Sequence, residues 1–452
     1  MDKVYDYFMK GFGEALARRS SGKRRIGAEL KFPMVNSDGT AASFKTACAL
    51  WRYLESNGWQ PVRDEMTRHV IGAKRNGEQN DTVAGCETGF CKAEFSLSHA
   101  GNLFGIEKQI DQLREELSTF CDASGVSFLC YGMQPVTPPS KSLMVKKSRT
   151  SPWVKVFGSN RHIPETEGDD VHLFTVNAAS HVHVSVSLEE AIDAVNVLNG
   201  FSGAQIALTA NSNIWQGKID PDYKCVAEKF WDWWMPDGNR VGIPGRPFDD
   251  MKDYVQTVVK LKPVYVVRNG KPIILKKYGT FDEYYRVGRA VGINTDGRKV
   301  SFTPEKSDID LHNSCYWYNA RISRYYTVEN RVNDQQPPDA LVSVSALTLG
   351  LVSALAEAKR ELSHYDWQTL RQMRQLACQH ALHGRRASGR LLQLALRMLV
   401  IARLGLLKRG LGEEQFLKPL ERRLSGFECP ADRAAAFFRE GGAGKLVDEL
   451  KL

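Results

Sequence analysis

Two histidines stand two residues apart in the run SHVHVSV at 180–186, His181 and His183, with valine and serine around them. Alternation with a period of two is the pattern of a β-strand, so both imidazoles project from one face. Three further segments set ionisable side chains in apolar, strand-like runs: Glu29 in GAELKF, Glu94 in KAEFSLS, and Glu329 with Arg331 in TVENRVND. Taken singly, a lone strand glutamate is a surface residue and a pair of histidines is a polar sheet face. Together they suggest more, because a carboxylate in an apolar strand needs a partner or a cation. Three glutamates and a histidine from distant strands suit oxygen-rich coordination of Mg²⁺ shared with phosphates. Arg331 follows Glu329 by two residues and shares its face. There it can meet a phosphoryl oxygen beside a metal held by Glu329.

The elements that must carry these residues are legible as patterns. Strands are expected at 24–35, 68–75, 90–98, 126–135, 175–187 and 326–334. Helices are expected over the first 20 residues, at 41–58 with Gly58 as its C-cap, and at 102–125, 188–210 and 337–362, the last led by proline. A Pro/Ser/Lys-rich stretch at 135–152 reads as a mobile loop, and the Gly-, Pro- and Trp-rich 211–300 as irregular structure over a site. From 364 onward about four helices are expected, broken by HGRRASG, KRGLGEE and SGFECPAD. Strands in the first 335 residues and helices at the end give an α+β fold, with an antiparallel or mixed sheet and a helical C-terminal layer. The corresponding division is an N-terminal helix at 1–23, a catalytic domain at 24–362 and a helical C-terminal region at 363–452 packed on it.

Bulk properties narrow the class. The chain has 452 residues, 42% apolar and 25% charged, ordinary for a globular protein. From Lys359 onward there are 18 Lys/Arg against 10 Asp/Glu, so most of the net +9 lies in the last fifth. The basic residues interleave with Leu and Ala at helical spacing, the pattern of a solvated helix face rather than a nucleic-acid tract. Arg397 and Arg403 interrupt the longest apolar run, which excludes a membrane span there. Nine scattered cysteines and a charged N-terminus without a secretory pattern point to reduced thiols in a cytoplasm. Cys86 and Cys91 are spaced for neither a redox pair nor a zinc site and read as structural.

The combination and order of these motifs resemble a known family. SHVHVSV is similar to the paired-histidine strand of glutamine synthetases, and VENRVNDQQPPDALVSVSALTLGL to their Glu-x-Arg strand and the proline-led helix after it. The closer resemblance is to the glutamate–cysteine ligase family, in the branch shared by plants and many bacteria and in the related carboxylate–amine ligases. It rests also on ANSNIWQGKIDPDYKCVAEKFW (210–231), HNSCYWYNAR (312–321) and the C-terminal helices, and it covers most of 24–442. The resemblance implies a curved, mainly antiparallel sheet that binds ATP and Mg²⁺ and makes an amide by way of an acyl phosphate. It implies metal ligation by Glu29, Glu94, His181 and Glu329. It places His183 at the nucleotide phosphates and Arg331 at the transferred phosphate, with Asn211, Gln216, His312 and Arg321 in nucleotide- or substrate-side segments. The implied partners are glutamate and an amine or amino acid, with no nucleic acid and no membrane, in a monomer or a homodimer.

Two positions leave the family pattern. Lys31 stands where a second acid follows the first-strand glutamate, with Glu87 a candidate to compensate. Ala227 stands where an arginine precedes Trp231 by four residues, with Lys224 or Lys229 as poor substitutes for its fork. The expected activity is therefore γ-glutamyl amide formation with an acceptor that is cysteine or a specialised amine. The alternative is a non-catalytic, nucleotide-binding regulatory relative.

Overall fold

A computed structural model describes all residues except 1, 18–23, 149, 236–238 and 384–388. The basic turn expected after the first helix and most of the HGRRASG break therefore lie outside the described residues.

The core of the molecule is one antiparallel sheet of nine strands. In chain order they are β1 (Ile26–Val35), β2 (Gln60–Arg63), β3 (Val70–Arg75), β4 (Thr82–Cys86), β5 (Lys92–Ser96), β6 (Ser127–Phe128), β7 (Ala179–Ser185), β8 (Ala320–Ile322) and β9 (Thr327–Asp334). Across the sheet the order is β8-β9-β7-β1-β5-β4-β3-β2, with β6 pairing the far end of β1. The α+β reading is thus correct. One face of β7 carries His181 and His183. The other sends Val182 and Val184 into the core, where each is at most 1% exposed.

Helices cover that apolar face. Phe44–Ser56 is capped by the Ser43 hydroxyl, and Leu103–Ser124 by the Asn102 side chain at one end and left-handed Gly125 at the other. Leu188–Gly200 starts with a capping box between Ser187 and Glu190. Ser343–Ser353 is buried on every side and packs behind β7 and β1. The expected helix 337–362 is broken at Ala354, and its halves meet at 87°. The C-terminal helices Trp367–His380, Gly389–Arg409, Lys418–Gly426 and Pro430–Leu450 complete this layer. Gly389–Arg409 crosses Ser343–Ser353 so closely that a Cβ on Gly405 would fall 1.9 Å from the Gly350 carbonyl oxygen. No single helix among the described residues is long and apolar enough to cross a membrane; only the bent pair Pro338–Ser353 and Leu355–Leu362 approaches this by composition.

The irregular structure expected over 211–300 is a correction. This stretch holds the helices Val226–Trp234 and Met251–Lys260 and a small sheet of Tyr265–Arg268, Lys271–Ile274, Ala290–Ile293 and Lys299–Phe302. Its strands are only four residues long, and asparagine and glycine turns join the first pair and the last pair, so no period is established. The expected strand 126–135 shrinks to β6, because beyond Phe128 the backbone pairs with the chain end: Cys130 N–H donates to the Leu450 carbonyl at 2.7 Å. The stretch 135–152 holds a 3₁₀ turn at Lys141–Leu143 and the start of a helix at Thr150.

Candidate active site

Strand register assembles the polar face row by row. Arg321 of β8 faces Glu329 of β9, Glu329 faces His183 of β7, and His183 faces Gly27 of β1. In the next row His181 faces Glu29, and Glu29 faces Ser96 of β5. One row further, Lys31 faces Glu94. A bulge in β9 between Asn330 and Asn333 frees Arg331 from β7 pairing, and its N–H bonds instead to the Asn319 carbonyl at 2.8 Å. These side chains floor a cleft of about 370 Å³.

The contacts are close. Glu29 bridges both imidazoles, with its Oε2 3.2 Å from His181 Nδ1 and its Oε1 3.1 Å from His183 Nε2. The other nitrogen of His183 lies 3.0 Å from the Thr327 hydroxyl. Glu329 accepts from Arg321 Nε at 2.8 Å and from Arg331 Nη1, whose second neighbour is His181 Nδ1 at 3.5 Å. Arg321 is held in turn by the carbonyl of Tyr316 at 2.6 Å. Lys31 Nζ sits between Glu94 at 3.0 Å and Glu87 at 3.3 Å.

Electrostatics sort these groups. Burial works against ionisation of Glu29, yet hydrogen bonds from His181 and His183 and the nearby charges hold its carboxyl well below the usual range. Burial is likewise outweighed at Glu329, where Arg321 and Arg331 keep the carboxylate ionised. His183 is raised against its burial by Glu29 and then Glu329, whereas His181 is pushed down to about 3 by burial and by Lys31 and Arg331. Burial pushes Glu94 up to about 8; Lys31 opposes this but is shared with Glu87, whose charge adds to the rise. Lys31 itself is raised against its burial by Glu87 and Glu94.

Glu29, His183 and Glu329 each offer one donor atom, all within 4.8 Å of one another, an arrangement that fits a metal ion. Two hard carboxylates with one imidazole suit Mg²⁺ where phosphates complete the shell. Glu94 lies in the same cleft but next to the Lys31 ammonium. His181 lies beside this trio, its Nδ1 between Glu29 and Arg331.

Three residues singled out in the sequence are not brought to the cleft. His312 is buried, its Nε2 2.9 Å from the Val258 carbonyl oxygen and its ring stacked 4.0 Å from that of Phe281. The Asn211 amide donates to the carbonyls of Gln335 and Cys130 at 2.8 and 3.2 Å. Gln216 sits at φ +53° in the turn between Ile214–Trp215 and Lys218–Ile219. Ring packing places His312, and hydrogen bonds to backbone carbonyls place Asn211.

Other residues in or beside the cleft carried a weak signal or none. Thr327 shares the strand face of Glu329 by its two-residue spacing. Asn313, beside His312, does line the cleft. Lys92 donates to the carbonyls of Phe174, at 3.1 Å, and Asn177, and burial pushes its ammonium down to about 8. Above the polar floor, six aromatic rings form a wall: Trp153, Phe174, Trp231, Trp234, Tyr265 and Trp317. The helix Val226–Trp234 that carries two of them is anchored from the C-terminal region. Arg374 donates to Glu228 at 2.7 Å and to Asp232 at 3.1 Å.

Solved structures share this architecture. A glutamate–cysteine ligase from Francisella tularensis, crystallised with AMP, superposes with a TM-score of 0.54 at 14% identity over 95% of this chain and 87% of its own. A bifunctional glutathione synthetase from Pasteurella multocida gives 0.53 at 10% identity over 100% of this chain and 53% of its own. The fold is thus that of the glutamate–cysteine ligases. The chain belongs to glutamate–cysteine ligase family 2, whose model matches residues 51–449. Among curated relatives, a protein from Frankia alni provisionally named glutamate–cysteine ligase 2-2 is 28% identical over 147 residues; the match spans 32% of this chain and 34% of that relative.

Proposed function

We propose that the chain is an ATP-dependent carboxylate–amine ligase that forms a γ-glutamyl amide through an acyl phosphate. The observation that carries this reading is the convergence of Glu29, His183, Glu329, Arg321 and Arg331 on one sheet face within a single cleft. Family membership supports it, as does the AMP held by the Francisella tularensis ligase of the same fold.

In this reading a side-chain carboxylate oxygen of glutamate takes the γ-phosphoryl group of ATP, and ADP leaves. The neutral amine then attacks the acyl carbon, the bond to the phosphate oxygen breaks, and phosphate departs as the nitrogen loses a proton. Glu29, His183 and Glu329 would hold Mg²⁺, which when bound neutralises charge on phosphate oxygens. Arg331 and Arg321 are oriented by Glu329, and their guanidinium groups meet the transferred phosphoryl group and the donor carboxylates. His181 is neutral at pH 7 and accepts or donates beside Arg331 without adding charge. Bound substrates filling the cleft would keep water from the acyl phosphate, which it would otherwise hydrolyse. The nine free thiols, seven of them buried, agree with action in a reducing cytoplasm.

The test is phosphate release from ATP across a panel of amines, with and without glutamate, paired with mass detection of the amide. Release that needs both glutamate and an amine is expected. Release from ATP indifferent to both would refute the reading.

A further inference from the structure

The two halves of the cleft differ in chemistry. Arg321, Arg324 and Arg331 line the half near β8 and β9. The other half has the aromatic wall, with Ala227 and Glu228 at its base. Within that wall Phe174 lies 4.3 Å from Trp231, which stacks 5.7 Å from Trp317 at 26°; Trp317 in turn meets Trp234 at 5.2 Å and Trp153 at 5.8 Å. Trp231 and Trp153 are half-buried and line the cleft.

Among the described residues, this half offers no free fork for an acidic group. Ala227 presents only a methyl. The guanidinium of Arg374, behind it, is held by Glu228 and Asp232, and Lys229 is held by Asp232 and Gln375. The Trp234 indole N–H is buried and has no hydrogen-bond partner among the described residues. That donor is closed off from the cleft, and the flat walls match a ring. They do not match a carboxylate-rich molecule or a small thiol, which would leave the walls uncovered.

We propose that this aromatic half, opened by Ala227, seats the acceptor amine and selects one carrying an aromatic ring over cysteine. The inference rests on the ligase reading above. The donor glutamate then occupies the arginine-lined half, and the amine approaches from the tryptophan wall. A nucleotide base is the rival occupant, but a site for adenine needs groups that read its N1 and amino edge, and the Oε1 of Glu228 here already accepts from Arg374 and Asn319.

The experiment measures kcat/KM for phenylethylamine, phenylalanine, cysteine and alanine with glutamate and ATP, for the wild type and for Trp231→Ala and Ala227→Leu. The expected result is at least a tenfold advantage of an aromatic amine over cysteine. Trp231→Ala and Ala227→Leu should each raise the KM for that amine about tenfold while the KM for ATP stays within twofold. Preference for cysteine, or a KM change confined to ATP, would overturn the inference and leave the ligase reading standing. If no amine supports phosphate release, the ligase reading fails. Saturable quenching of tryptophan fluorescence by phenylethylamine, lost in Trp231→Ala, then still supports an aromatic-amine site, and its absence in the wild type overturns it.

Discussion

Glu329 sits between two arginines and orients both. If Arg331 meets the transferred phosphoryl group, Arg331→Ala removes an interaction that strengthens in the transition state. Turnover should fall about 10²-fold or more, with a smaller change in KM for ATP, as single-turnover kinetics would show. The histidines are separable in the same way. The resemblance assigns the metal to His181 and the nucleotide to His183, but the converging donor atoms favour His183 as the ligand. His183→Ala should therefore raise the Mg²⁺ concentration needed for half-maximal activity more than His181→Ala does; the opposite order would restore the assignment by resemblance. Lys31 acts as a built-in cation between Glu87 and Glu94, with its side chain 10% exposed. Lys31→Met leaves those carboxylates facing one another in a buried setting. A loss on the order of 3 kcal/mol in urea unfolding is expected, reduced by added Mg²⁺ because the ion replaces the missing charge.

Among the elements, the segment from Met251 to Asn313 turns on a ring stack rather than on catalysis. Burial of His312 pushes its imidazole down to about 3, from an ordinary value of 6.5. A histidine whose folded value is depressed contributes stability that is present above pH 6.5 and lost as the pH falls toward 3. The slope is at most about 1.4 kcal/mol per pH unit. In His312→Phe the ring still stacks on Phe281, so urea midpoints between pH 7 and pH 5 should fall less than in the wild type. An equal fall in both proteins would mean that this imidazole does not set the acid sensitivity. The same residue shows where sequence reading stops. His312 occupies a motif position yet points into packing, because spacing along a helix does not say which neighbour covers it. Glu29, His181, His183, Glu329 and Arg331 were legible because a long strand fixes faces by alternation, and register then brings the faces together. The tryptophan wall and the Arg374 anchor were not, since they depend on the Val226–Trp234 and Trp367–His380 helices meeting through residues 146 apart in the chain. No local period records such a meeting.

At the scale of the whole molecule, one apolar cluster runs from Val4 to Ala431, so the C-terminal helices share a core with the sheet. A chain ending at Leu362 would lack Leu391, Leu394, Met398 and Leu406, uncovering the Ser343–Ser353 helix they pack on, and would lose Arg374 beneath the cleft wall. It is expected to lack a cooperative thermal transition; a well-folded truncation would show that the sheet stands alone. The last residues of this chain are pinned as well. Leu452 N–H donates to the Phe128 carbonyl at 2.9 Å, Cys130 N–H to Leu450 at 2.7 Å, and Lys451 bridges Leu129. During synthesis, β6 therefore waits more than 300 residues for the segment that closes it. At a ribosomal rate of roughly 5–20 residues per second, that interval exceeds ten seconds, with an unpaired strand edge open throughout. The nascent chain should engage a holding chaperone over this window, and a slower ribosome should lengthen the exposure without altering the finished site.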